Sequence, residues 1–134
     1  MKYRFVDHTA DIAFEIFGES LAELLENATY AFYEAFVELR NLSALEERRI
    51  SIEADDFESL LYKWLNELLY LFDTQFFAAK HVKVLVKGTK AEGTLSGGKY
   101  TPEDVKVEPK AITLHKFRVE KQNKKFRAFV VIDI

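Results

Sequence analysis

The closing stretch Phe126-Arg127-Ala128-Phe129-Val130-Val131-Ile132-Asp133-Ile134 constrains the fold more than any other part of the chain. Phe126, Ala128, Val130 and Ile132 alternate with Phe129 and Val131, so its middle is apolar on both faces. A strand of that kind belongs inside a sheet, with a neighbour on each side. One neighbour lies just upstream. Ala111 to Glu120 reads as a strand, and the polar Lys121-Gln122-Asn123-Lys124-Lys125 joins it to the last as an antiparallel hairpin with a longer loop. The other is expected from the front of the chain, where Ile12, Phe14 and Ile16 alternate with Asp11, Ala13 and Glu15 in a half-buried strand. Pairing the front strand with the closing one would bring Asp11 and Asp133 together at strand ends.

Two helices are equally legible. After Gly18, Ser20-Leu21-Ala22-Glu23 has capping-box spacing, in which the Ser20 hydroxyl accepts from the Glu23 amide and the Glu23 carboxylate reaches back to the Ser20 amide. The following helix, from Leu21 to about Val37, carries Leu24, Leu25, Ala28, Phe32 and Phe36 on one stripe. Asp55 and Glu58 repeat the capping spacing before a second helix from Phe57 to about Phe72, with Leu61, Trp64, Leu65, Leu68 and Phe72 facing one way. Between them Arg49 to Ala54 alternates as a short strand. From His81 onward Val82, Val84 and Val86 alternate with lysines, and Gly88 turns the chain into Thr89 to Leu95. Ser96-Gly97-Gly98 through Pro109 reads as the most loop-like part. The order strand, helix, strand, helix, then a run of strands predicts an α+β fold over residues 1–134, one domain with both amphipathic helices packed on one face of a mixed sheet.

Composition narrows the chemistry. At 134 residues the chain can bury a core without a staple, and with no Cys it has no disulfide, thiolate zinc site or thiol nucleophile. Its net charge is -3, against the basic excess expected of a protein that grips nucleic acid through phosphates alone. No apolar run reaches membrane-spanning length, and Met1-Lys2-Tyr3-Arg4-Phe5 lacks a signal-peptide core. A soluble cytoplasmic protein with no membrane attachment is expected.

The residues that could carry chemistry are few. Asp11 and Asp133 permit two readings: a turn cap and a solvated tail carboxylate, or one acidic site completed by the chain-terminal carboxylate of Ile134. In the second, the like charges would repel unless a hard divalent cation joined them. His8, beside Thr9, could be a ligand or a general base, although a single His there more often serves as a structural hydrogen-bonding residue. His81 should face solvent, and nothing marks His115 as reactive. Lys110 follows Pro109 into a strand, where a lysine is ordinarily just exposed. No phosphate-binding glycine loop, nucleophile elbow, dinucleotide fingerprint or His-x-x-x-His spacing is present.

Taken together, Asp7-His8-Thr9-Ala10-Asp11-Ile12, Ser59-Leu60-Leu61-Tyr62-Lys63-Trp64-Leu65-Asn66-Glu67-Leu68-Leu69-Tyr70, Pro109-Lys110-Ala111-Ile112-Thr113-Leu114-His115 and Val131-Ile132-Asp133-Ile134 resemble the archease family. The likeness spans essentially the whole chain, with four motifs in the right order. It implies a non-enzymatic accessory protein of an RtcB-type RNA ligase, active in transfer-RNA splicing and RNA repair. Such a protein promotes guanylylation of the ligase and its multiple turnover, and meets tRNA only indirectly. It further implies a divalent metal, calcium before magnesium, held by Asp11 and Asp133 with Ile134 adding terminal oxygens. Lys110 is implied in ligase activation, and His8 and Asp7 stand close enough in sequence to support the ligands. The alternative is a metal-dependent phosphohydrolase using the same carboxylates; a direct RNA chaperone ranks behind both.

Overall fold

A computed structural model describes residues 1–6 and 11–134. Its elements run β1 (Tyr3–Val6), β2 (Asp11–Gly18), α1 (Leu21–Phe36), β3 (Glu46–Glu53), α2 (Phe57–Gln75), β4 (Phe77–Lys87), β5 (Lys90–Lys99), a short 3₁₀ turn (Pro102–Asp104), β6 (Ala111–Gln122) and β7 (Lys125–Asp133). The α+β class is observed. The single mixed sheet is not: β1-β2-β7-β6 forms one sheet and β3-β5-β4 another, every pairing antiparallel. The connections explain this. β4–β5 and β6–β7 are tight hairpins, which can only make antiparallel neighbours. α1 carries the chain from the first sheet to the second; α2 returns it to that second sheet, where β5 comes to lie between β3 and β4, and the irregular stretch after β5 leads back to the first.

Both helices begin where their caps dictate. Ser20 Oγ accepts from the Glu23 amide at 3.1 Å, while the Glu23 carboxylate accepts from the Glu19 amide at 3.2 Å, one residue earlier than a capping box requires. At α2 the cap is Asp56, not Asp55, its carboxylate accepting from the Ser59 amide at 2.7 Å. Phe57 opens the helix, so the residue before it holds the extended cap conformation. Glu58 is thereby released to accept from the Val119 amide of β6 at 3.4 Å.

α1 packs against β2 and β4, and α2 against β6 and the β3-β5-β4 sheet. One hydrophobic cluster draws Phe14, Ile16, Leu24, Phe32, Leu61, Trp64, Leu95 and Val130 from both sheets and both helices. Burying a side chain of this size stabilises the fold by about 1.5–3 kcal/mol relative to leaving it in water. Polar groups in the cluster are partnered. Tyr33 donates to the Leu68 carbonyl at 3.0 Å, and Trp64 Nε1 donates to Thr29 Oγ1 at 2.9 Å.

Three boundaries depart from the sequence pattern. Tyr3–Val6 forms an edge strand too short to show a period. The hairpin before β7 is closed by Asn123 and Lys124 alone, with Asn123 at φ 60°; the lysines expected in a longer loop extend the strands as exposed residues. Ser96-Gly97-Gly98 belongs to β5. A Cβ on Gly97 would lie 1.9 Å from the Ala78 carbonyl oxygen, so glycine here permits close backbone approach at the β4 irregularity and does not mark a loop.

Candidate functional site

Each strand of the β1-β2-β7-β6 sheet turns one face to the helices and one outward. On the outward face the register places Asp11 directly opposite Asp133, and Asp133 directly opposite Ala111. Directly opposed residues share a face, with Cβ atoms about 4.5–5.5 Å apart. The start of β2, the end of β7 and the start of β6 therefore meet at one rim. The Lys110 amide donates to the Asp133 carbonyl at 2.7 Å, which fixes the approach of β6. Pro109, immediately before it, is buried, while Lys110 and Asp133 are exposed and Asp11 half-buried. Ile134 packs on the margin of the core. The central position of β7, read from its two apolar faces, is what joins the ends of the chain.

Electrostatics at this rim follow from the pairing. A hydrogen bond to the Asp11 side chain, with burial and the Asp11 charge, holds the Asp133 carboxyl above the ordinary aspartate range; the nearby Lys110 charge opposes the rise. The Asp133 carboxyl is thus harder to ionise than an isolated aspartate. Hard oxygen donors set face to face suit a hard divalent cation. Among the described residues, the pair is not joined into a metal-holding group by a third His, Cys, Asp or Glu. Among the described residues, further ligands would be oxygens of Ile134, of backbone or of water. Asp7 and His8 lie outside the described residues.

Beside Asp11 opens a cleft of about 380 Å³, bounded by Phe5, Val6, Ile12 and Ala13 on the sheet and by Glu34 and Lys106 opposite. Lys106 is anchored there through its amide to the Phe36 carbonyl at 2.8 Å and its ammonium to the Glu34 carbonyl at 3.0 Å. No periodic signal in the sequence marks Lys106, which sits in the irregular stretch between β5 and β6. The bridge between Val37 and Val105 brings that stretch back onto the end of α1.

Further along the same face Glu15 is buried between two half-exposed arginines. Arg4 of β1 hydrogen-bonds one carboxylate oxygen, and Arg127 of β7 reaches the other at 2.8 and 3.0 Å. The Arg4 hydrogen bond, with help from Arg127 and against the cost of burial, holds the Glu15 carboxyl below the ordinary glutamate range. Sequence alternation places Glu15 outward but gives no sign of its burial. His81 and His115 are both exposed, His81 on β4 of the other sheet and His115 on β6, the strand that begins at the Asp11–Asp133 rim.

Comparison with known proteins gives a consistent result. Residues 3–134 match the archease protein family (MTH1598/TM1083). A protein archease of Archaeoglobus fulgidus is 61% identical over 100% of both chains. One from Methanothermobacter thermautotrophicus is 35% identical, covering 98% of each. Among solved structures, Methanobacterium thermoautotrophicum protein 1598 superposes with a TM-score of 0.77 at 35% identity, over 98% of each chain. A Thermotoga maritima archease, described as a possible chaperone, gives a TM-score of 0.67 at 25% identity over 96% of this chain and 94% of that one.

Proposed function

This chain belongs to the archease family, and on that premise we propose that it is a non-enzymatic activator of an RtcB-type RNA ligase, working in the cytoplasm in tRNA splicing and RNA repair. It promotes guanylylation of the ligase and lets it turn over repeatedly. The observation that carries this reading is the direct opposition of Asp11 and Asp133 across β2 and β7, with Lys110 entering β6 at the same rim. A helper role is in keeping with the description of the Thermotoga maritima relative as a possible chaperone.

In this reading Asp11 and Asp133 hold a divalent cation, calcium before magnesium, and Ile134 adds the oxygens of the chain end. When bound, the cation supplies a compact positive charge that can order phosphate oxygens or the metals of the partner. The protein's own part is positional. β2 and β7 fix the two carboxylates on one face, the Lys110 amide ties the third strand to Asp133, and the Lys110 side chain adds a cation beside them. The site lies at a strand rim outside the hydrophobic cluster, so it can be offered to a partner without disturbing the core.

The test is a guanylylation assay of the cognate ligase with and without this protein, across calcium and magnesium titrations. Metal-dependent stimulation is expected from the native chain and none from Asp11→Ala or Asp133→Ala. Full stimulation by either variant at equal concentration would remove the site from the mechanism. Turnover of nucleotide or phosphate ester by this protein without the ligase would instead select the phosphohydrolase alternative.

A further inference from the structure

The β3-β5-β4 sheet also turns one face outward, and no helix packs there. Ile50, Ile52, Val82, Val84 and Leu95 point inward to the cluster; the alternate residues line an open cleft of about 550 Å³. Its polar lining includes Arg49 and Ser51 on β3, Thr94 and Ser96 on β5, and His81 and Lys83 on β4. Register puts Arg49 and Lys83 on one rung, on either side of Thr94. Their backbones are about 10 Å apart across two strand spacings. Both side chains are exposed, and among the described residues neither has a carboxylate partner. The carboxylate nearest the centre, Glu92, lies 3.9 Å from Lys90 instead.

Arg49 and Lys83 thus present two cations on either side of the Thr94 hydroxyl. Together with the flanking hydroxyls and the His81 ring, they form a recognition surface for phosphate oxygens. Arg offers a planar fork of donors for such a group, and Lys a point charge. We infer that the outer face of the β3-β5-β4 sheet binds the phosphodiester backbone of single-stranded RNA; the choice of RNA as the polymer rests on the proposed role beside an RNA ligase.

The layout favours an extended strand over a single nucleotide. His81, Lys83, the exposed Leu85 and Lys87 follow one another on the outward side of β4, covering about 20 Å at the rise of a strand. That matches several phosphates better than one. The lining contains no Phe, Tyr or Trp ring on which a lone base could stack. Grip without base stacking yields weak, sequence-tolerant binding, which reconciles a local cationic rung with a net charge of -3. This surface is spatially independent of the Asp11–Asp133 rim, and the two can fail separately.

The experiment is fluorescence anisotropy with a labelled, mixed-sequence single-stranded RNA of roughly 12 nucleotides, within the site sizes of single-strand binders. Binding of the native chain should be in the range of about 10⁻⁴ to 10⁻⁶ M, weakening with salt at a log–log slope of about −2 for three phosphate contacts. Joint Arg49→Glu and Lys83→Glu substitution should weaken it by about tenfold or more. Glu92→Gln should tighten it, and Arg118→Ser on the other sheet should leave it unchanged. Because all these positions are exposed, unchanged circular dichroism and melting temperature should accompany each variant. Asp11→Ala should bind RNA as the native chain does even where ligase stimulation is lost. The inference is overturned if the double reversal binds like the native chain, or if Arg118→Ser loses as much. It is likewise overturned if free nucleotide or poly-glutamate displaces the RNA fully at equal charge concentration, which would assign the face to a nucleotide or an acidic protein.

Discussion

Trp64 and Thr29 are joined by a buried hydrogen bond of 2.9 Å between the indole Nε1 and the hydroxyl, and this bond ties α2 to α1. Thr29 also donates to the Leu25 carbonyl at 2.8 Å, so its single hydroxyl serves one helix as donor and the other as acceptor. Thr29→Val keeps the shape but leaves the indole N–H buried without an acceptor. We expect a loss of about 1–3 kcal/mol, the cost of an unsatisfied buried donor, read as a lower midpoint in urea with an unchanged slope.

Two glycines should respond to substitution against the usual expectation that a strained backbone is the greater cost. Gly88, in the β4–β5 turn, has φ 63° but open space where a Cβ would stand; a Cβ on Gly97, within β5, would meet the Ala78 carbonyl oxygen at 1.9 Å. Gly88→Ala should cost about 1–2 kcal/mol, the left-handed penalty. Gly97→Ala should cost about 3 kcal/mol or more, because backbone and not a flexible side chain must move. Thermal melts of the two variants would decide it; a smaller loss at Gly97 would show that β4 and β5 can separate there.

Much of this architecture is legible from residue order, for physical reasons that can be named. The helix starts follow from short polar side chains that reach backbone amides within a turn, so Ser20 and the Asp55-Asp56 pair announce them locally. The centrality of β7 follows from Phe129 and Val131 filling the face that Phe126, Ala128, Val130 and Ile132 leave. From that one inference the juxtaposition of Asp11 and Asp133 follows. What is not legible depends on contacts between distant segments. Nothing local tells Gly97 in a strand from Gly97 in a loop, because the cause is the Ala78 backbone. The division into two sheets depends on where the crossovers deliver the chain, and the burial of Glu15 depends on arginines from β1 and β7.

Glu15 sets a pH dependence with a definite sign. Its carboxyl is held below the ordinary value of 4.5, first by the Arg4 hydrogen bond. A depressed folded-state value means the unfolded chain takes up the proton first. The stabilisation is therefore complete above the ordinary glutamate range and is lost as pH falls through the lowered folded value. Asp56, lowered by the Ser59 amide, adds a contribution of the same sign. Denaturation midpoints measured from pH 7 down to about pH 3 should fall more gently for Glu15→Gln than for the native chain. Parallel curves would mean that the two arginines do not stabilise the ionised form.

Lys110 offers a separation of roles at the rim. Its amide holds the Asp133 carbonyl, a bond any residue but proline preserves, whereas its side chain supplies only charge. Lys110→Ala should keep stability within about 0.5 kcal/mol of the native chain, as for an exposed substitution. Metal binding should persist while stimulation of the ligase falls. Retained stimulation would confine the lysine to its backbone contact.

The Asp11–Asp133 pair makes a prediction that needs no ligase. Without a divalent cation, ionised carboxyls facing each other across β2 and β7 repel, and the hydrogen bond with Asp11, burial and the Asp11 charge hold the Asp133 carboxyl above the ordinary aspartate range. Asp133→Asn removes that repulsion and keeps a hydrogen-bonding group of the same shape, so in chelator it should melt no lower than the native chain. On the proposed reading, added calcium should bind the folded chain and not the unfolded one, since positions 11 and 133 meet only on folding. At a hundred times its dissociation constant it should stabilise the native protein by about 2.7 kcal/mol, a rise of several degrees in melting temperature for a domain of this size. Asp133→Asn should show no such rise, and Asp11→Asn should behave alike, because either loss leaves a single side-chain carboxylate at the site. Equal calcium shifts in the native chain and both variants would place the cation elsewhere, and the ligase-activation mechanism would then have to proceed without this pair.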